Sequence, residues 1–216
     1  MTPEVYIADI CGIIEKGLYD KYYSRMPHDR QVRCSRFKFE EDRLRCVAAY
    51  ELLRRALNGF VPPIYYSDKG KPYFSGCSDV FFNFSHSGTK VMCAVADVEI
   101  GCDVEKKRND RLNIAKRFFH DDEFSYLESK SAAGKNDFTK LWSLKESILK
   151  CSGDGIGYQL NSFSLLDKGL LREYIILPDS DIKYYIKCFE EDDEYEYTVC
   201  AVCPVDGLEA KKLIFD

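Results

Sequence analysis

WSLKESILK, residues 142–150, stands about forty residues after VEIGCDVE, residues 98–105, and these two strings decide how the chain is read. The earlier string alternates and is rich in β-branched residues, so a strand is expected there. Asp103 and Glu105 are two apart, and on a strand both side chains leave the same face. The later string extends back to Phe138. Phe138, Leu141, Trp142, Lys145 and Leu149 mark one stripe, and Thr139, Ser143, Glu146 and Lys150 mark another, the pattern of an amphipathic helix with Glu146 and Lys150 one turn apart on one face. Asn136 or Asp137 is expected to cap its start and Gly153 to end it.

Two like charges about 4 Å apart repel by roughly 4 kcal/mol at an effective dielectric near 20, so three carboxylates brought together need a cation. An all-oxygen ligand set with room for water suits Mg²⁺, which usually keeps phosphate oxygens in its shell. Taken singly, Asp103 and Glu105 read as a solvated strand face, and Glu146 with Lys150 as an ordinary helix ion pair. Their combination with NFSHSG, residues 83–88, points to a site. That string lies between two apolar runs and reads as a strand, a tight polar turn and a returning strand. A turn offering Ser85, His86, Ser87 and the amides near Gly88 suits a phosphate. A serine-hydrolase reading is weaker, because Ser85 and His86 are neighbours and no G-x-S-x-G elbow surrounds them. Upstream, DKGKPY (68–73) is expected as a loop that holds Lys71 at the entrance to the next strand.

NFSHSG, GCDVE and WSLKESILK, in this order and spacing and with the GKP loop before them, resemble the surfactin-type 4'-phosphopantetheinyl transferases from about Arg30 through GDGIGYQLNSFSL. The resemblance implies transfer of the phosphopantetheine arm of coenzyme A to a serine of an apo acyl or peptidyl carrier protein, with release of adenosine 3',5'-bisphosphate. It implies that Asp103, Glu105 and Glu146 hold Mg²⁺ with the pyrophosphate and that Lys150 neutralises a phosphate oxygen. Glu146, directly or through a metal-bound water, takes the serine proton. Lys71, Ser85 and His86 line the coenzyme A site, with His86 near the 3'-phosphate, and Arg30, Arg33 and Arg45 fall where the family places basic residues for that phosphate. Cys102 departs from the aliphatic residue usual there; it points away from Asp103 on a strand and should bear on packing, not chemistry. The implied fold is α+β, two similar α/β subdomains in pseudo-twofold arrangement. The N-terminal subdomain (1–98) carries coenzyme A elements, the C-terminal one (99–216) carries metal and catalytic residues, and the active site lies between them in a monomer.

Composition is compatible with that. The 216 residues are enough for one large or two small domains, and 45% hydrophobic with 14% aromatic residues argue for a globular fold. No apolar run reaches transmembrane length and the N-terminus lacks a signal-peptide pattern, so a cytoplasmic location is expected. Ten cysteines without a secretory signal imply a reducing compartment; Cys200 and Cys203 lie in an alternating run expected to be a buried strand, and no second ligand pair supports zinc. The net charge is −5, yet residues 21 to 55 carry ten Lys or Arg against five acids, a patch that can steer coenzyme A and an acidic carrier. No recognisable nucleic-acid reading module is visible.

The expected element order is a strand at VYIADI, helices across 15–58 ending at Gly59, strands over 80–96, and the strand of Asp103. Helices follow near 111–129 and 137–150, then strands near 162–166, 172–177, 183–189 and 195–203. Helices followed by strands, twice over, suggest α+β halves meeting near Asp97 to Gly101. Two rivals stay open: another Mg²⁺-dependent phosphodiester enzyme, separated by whether coenzyme A and an apo carrier are both required, and a non-catalytic binder of coenzyme A or carrier proteins, against which the full set of acids and Lys150 speaks.

Overall fold

The computed structural model describes residues 2–108, 111–134, 137–155 and 157–216. Among them the chain forms β1 (Glu4–Asp9), α1 (Cys11–Glu15), α2 (Tyr19–Tyr23), α3 (His28–Ser35), α4 (Glu40–Ala56), β2 (Ile64–Tyr66), β3 (Pro72–Phe74), β4 (Phe81–Ser87), β5 (Lys90–Ala96) and β6 (Ile100–Lys106). There follow α5 (Leu112–Phe118), α6 (Asp121–Ala132), α7 (Phe138–Ser152), a short 3₁₀ turn (Leu160–Ser162), β7 (Leu166–Asp167), β8 (Leu170–Leu171), β9 (Tyr174–Ile176), β10 (Lys183–Phe189), β11 (Tyr195–Ala201) and β12 (Ala210–Lys212).

Two four-stranded sheets organise these elements, one in the order β12-β1-β5-β4 and the other β6-β11-β10-β9. Alternation along the strands decides what each face meets. Tyr6 and Ala8 of β1 with Val91, Cys93 and Val95 of β5 pack against Val47, Leu52 and Leu53 of α4. The alternate residues Val5, Ile7, Met92 and Ala94 turn the other way and meet Ile100, Cys102, Val104, Tyr197 and Val199 from the second sheet. Beyond the second sheet, Leu141, Leu144 and Ile148 of α7 cover Ile186 and Cys200. The layers are therefore helices, sheet, sheet, helices, and both faces of the central strands are apolar because both are covered.

Several expectations are met in detail. The helix of the opening string runs Phe138–Ser152 and stops at Gly153, whose φ of +79° is left-handed and whose N–H bonds the carbonyl of Leu149 at 2.9 Å. Asn136 lies outside the described residues, and Asp137 occupies the cap without a side-chain cap bond, its carboxylate accepting from the Tyr126 hydroxyl at 2.6 Å instead. Other expectations change. Residues 162–166, expected as a strand, run from the last residue of the 3₁₀ turn through bends and irregular chain to the first residue of the short β7–β8 pair. The final strand, β12, pairs in parallel with β1, Val5 opposite Ala210, so residues beyond the expected junction complete the first sheet.

Candidate active site

β6 and α7 bring the acids together because Gly101 lets the helix backbone rest on the strand. A Cβ there would collide with the Ser147 carbonyl oxygen and the Cys151 nitrogen and lie 2.8 Å from the Lys150 carbonyl carbon. At that approach Lys150 Nζ lies 2.6 Å from Asp103 Oδ1 and 3.0 Å from Ser85 Oγ. Asp103 is 3% exposed; its Oδ1 also accepts from the Ser85 hydroxyl at 2.8 Å, while its buried Oδ2 has no hydrogen-bond partner. Glu105 Oε2 accepts from the Ser87 hydroxyl at 3.0 Å. Glu146, one helical turn before Lys150, is half-buried in the same cleft.

The charges respond to one another. Burial, then the Asp103 charge, pushes the Glu105 carboxyl above the usual carboxylate value. Burial raises Glu146 too, against the pull of Lys150 and with the push of Asp103 and Glu105. Burial alone would lower the Lys150 ammonium; the Asp103 charge leads the effects that outweigh it and hold it above the ordinary lysine value. Ionised, three carboxylates and one ammonium leave two negative charges, which a divalent cation balances. The unpartnered oxygen of Asp103 is the kind of buried acceptor such an ion satisfies. Among the described residues, however, no group of three His, Cys, Asp or Glu side chains is gathered to metal-ligand spacing. The three acids line one cleft without closing to a ligand set, because Asp103 is drawn to Lys150 and uncompensated carboxylates repel.

The cleft has a volume of about 740 Å³, and its lining includes Arg30, Arg33 and Tyr66 as well as Glu105 and Trp142. Lys71, Ser85, His86, Glu146 and Lys150 also line it. Arg30 is 5% exposed; its guanidinium donates to the Tyr66 hydroxyl, and its buried Nε has no partner. The Arg33 guanidinium lies 4.3 Å over the Tyr66 ring. His86 is exposed at the surface of β4, with the surrounding protein and then the charges of Arg45 and Lys150 holding its pKa below the usual histidine value. Arg45 stands off the cleft lining, donating to the Gly88 carbonyl at 2.7 Å and paired with Asp42 at 2.6 Å. Lys71 turns its ammonium inward, to the Glu99 carboxylate and the Cys151 carbonyl at the end of α7.

The turn expected across NFSHSG falls at its end. Residues 83–87 are β4 itself, and the connection to β5 is Gly88–Thr89 alone. Gly88 has φ +55°, any Cβ there would collide with the Tyr195 hydroxyl, and the Thr89 amide is bonded to that same hydroxyl at 3.2 Å. Tyr66, Asn83 and Glu99 escaped sequence reasoning; Asn83 could have been found from its alternation with Ser85 and Ser87. Cys102 is fully buried between the sheets, its thiol pushed up to about 12 by burial, in keeping with a packing role.

Residues 99–200 match the family model described as the 4'-phosphopantetheinyl transferase superfamily. The chain is 36% identical over 207 residues to a 4'-phosphopantetheinyl transferase of Bacillus subtilis, covering 92% of each protein. It is 36% identical over 196 residues to 4'-phosphopantetheinyl transferase Sfp of Bacillus subtilis strain 168, covering 86% of each. With 4'-phosphopantetheinyl transferase HetI of Nostoc it shares 38% identity over 141 residues, 59% of this chain and 60% of that protein.

Proposed function

Because the chain belongs to the 4'-phosphopantetheinyl transferase superfamily, we propose that it moves the 4'-phosphopantetheine group of coenzyme A to a serine of an apo acyl or peptidyl carrier protein. The products are holo carrier protein and adenosine 3',5'-bisphosphate. The serine oxygen forms a bond to the phosphorus that bears pantetheine, and the bond from that phosphorus to the bridging oxygen breaks. Glu146 is the assigned acceptor of the serine proton, supported by its place in the cleft and by a carboxyl whose raised pKa makes it a better base. Lys150 is assigned to neutralise a phosphate oxygen.

The observation that carries this reading is Asp103: a buried carboxylate with one oxygen tied to Lys150 and Ser85 and the other without a partner, in the cleft that Glu105 and Glu146 also line. Asp103, Glu105 and Glu146 are the residues that would hold a divalent metal, proposed to be Mg²⁺, which when bound screens the pyrophosphate charge. Coenzyme A is assigned to the wall formed by Arg30, Arg33, Ser85 and His86, with Lys71 contributing its stem, since its ammonium is committed elsewhere. Arg45 is assigned an outer place, through its charge on His86. The two-halved reading, with 1–98 and 99–216 as pseudo-symmetric subdomains, rests on the resemblance and on the sheet break before Ile100, with residues 210–215 returning to the first sheet and core. One chain supplies every assigned residue, so a monomer is proposed, with the cytoplasmic location expected from the sequence; among the described residues no helix is long and apolar enough to cross a membrane.

The test is intact-mass measurement of several apo carrier proteins after incubation with the enzyme, coenzyme A and Mg²⁺. A phosphopantetheine increment on a serine, dependent on all components, is the expected result. No increment on any carrier would overturn the assignment.

A further inference from the structure

β4 and β6 are the edge strands of different sheets, and side chains bridge the seam between them. Asn83, Ser85 and Ser87, at alternate positions of β4, point at β6 in register. Asn83 Oδ1 accepts from the Cys102 amide at 3.3 Å, the Ser85 hydroxyl donates to Asp103 Oδ1 at 2.8 Å, and the Ser87 hydroxyl donates to Glu105 Oε2 at 3.0 Å. Ser87 Oγ in turn accepts from the Lys106 amide at 3.1 Å, and Ser85 Oγ accepts from Lys150 at 3.0 Å. Each acid of β6 thus has one oxygen engaged by a hydroxyl of β4.

We propose that Ser85 and Ser87 are positioning residues that aim Asp103 and Glu105 at the metal. The inference rests on the metal reading above. A hydroxyl whose own lone pair is occupied by Lys150 or by the Lys106 amide has its proton directed, and donating that proton to one carboxylate oxygen fixes the rotamer and leaves the other oxygen free for the metal. In Asp103 that other oxygen is the buried Oδ2 without a partner. Ser85, on the wall assigned to coenzyme A, thus also directs its hydroxyl proton to Asp103. His86, between the two serines, takes the opposite face of the strand. Partners that orient metal ligands in this way typically affect metal affinity by about 10- to 100-fold.

The experiment titrates Mn²⁺ into the coenzyme A complex of the full chain and reads free Mn²⁺ by electron paramagnetic resonance. Coenzyme A affinity without metal is measured alongside by calorimetry. Ser87→Ala is expected to weaken Mn²⁺ binding about tenfold or more while coenzyme A affinity changes less than about twofold. Ser87→Thr, which keeps the hydroxyl, should bind close to the parent, and Ser87→Cys, which keeps the volume with a weak donor, should bind like Ala. Should the Ala variant fail to fold, the Thr and Cys pair carries the same comparison. Parental Mn²⁺ affinity in Ser87→Ala or Ser87→Cys overturns the inference, as does Thr binding no better than Cys. Loss of Mn²⁺ binding in Asp103→Ala is the control: if the parent binds Mn²⁺ no better than Asp103→Ala, the metal site itself fails, and this inference with it.

Discussion

A methyl group at Gly101 has nowhere to go, because its nearest neighbours are the backbone of α7 and not flexible side chains. Gly101→Ala must push the helix off the strand and lengthen the 2.6 Å contact between Lys150 and Asp103. Overpacking of this kind costs about 1 to 3 kcal/mol, so a lowered urea midpoint and a larger fractional loss of transfer are expected together. Glu146→Gln keeps shape and one ligand oxygen but not the base. Coenzyme A affinity by calorimetry should fall modestly while single-turnover transfer slows roughly a hundredfold or more. His86→Ala should raise the coenzyme A requirement more than it lowers saturated turnover. With dephospho-coenzyme A the change should be nearly silent, and an equal penalty with both cofactors removes His86 from the 3'-phosphate. That Asp103 and Glu105 share one face and Glu146 and Lys150 another was legible from spacing, since periodicity determines which side chains share a face, while their roles rest on the resemblance. What Gly101 is for was not, because the helix that crowds it begins at Phe138, far along the chain. Nor could a loop sequence tell that the Lys71 ammonium turns inward to Glu99 and the end of α7.

At the level of elements, α7 is held by a charge that its apolar stripe conceals. Lys145 and Glu123 are both fully buried, 2.9 Å apart, and Lys145 Nζ also donates to the carbonyls of Leu160 and Phe163 at 2.8 Å each. Glu123 caps the arrangement by accepting from the amides of His120 and Leu165 at 3.0 and 2.8 Å. Removing one partner of a buried pair leaves the other uncompensated, so Lys145→Met should cost about 3 to 5 kcal/mol of stability in urea unfolding despite its fitting volume. The stripe predicted the burial of Lys145, and Glu123 as its partner lay beyond reach of any helical period. β4 was misread for a related reason. Its polar residues resemble a turn, but Asn83, Ser85 and Ser87 alternate with Phe82 and Phe84 as a strand requires. Their polarity meets neighbouring polar groups across a seam instead of water.

Across the whole molecule, the sheets and helices were largely legible because long alternating and 3.6-residue patterns survive in the sequence, whereas β12 is three residues with no pattern to find. The first half is braced by Glu51, fully buried in α4 and bonded by Arg25, Arg54 and Arg55. Burial pulls its carboxyl upward, but the hydrogen bonds from Arg54 and Arg55 and the nearby positive charges outweigh it, and the folded value lies below the ordinary 4.5. The stabilisation is thus fully present above the unfolded value and fades as pH falls through the folded one. Glu51→Gln should have a lower urea midpoint than the parent at pH 7, and the gap should narrow as pH drops below about 4.5. Arg55 also reaches Asp216 at 2.6 Å, and Phe215 is buried in the first core behind β12. This sets an order of assembly during synthesis. While residues 210–215 are still inside the ribosome, β1 has a bare edge and the first core lacks a wall, though most of its residues emerged long before. The part of the protein made first is the part that closes last, and a nascent chain halted near residue 200 should remain open to proteolysis in its N-terminal half.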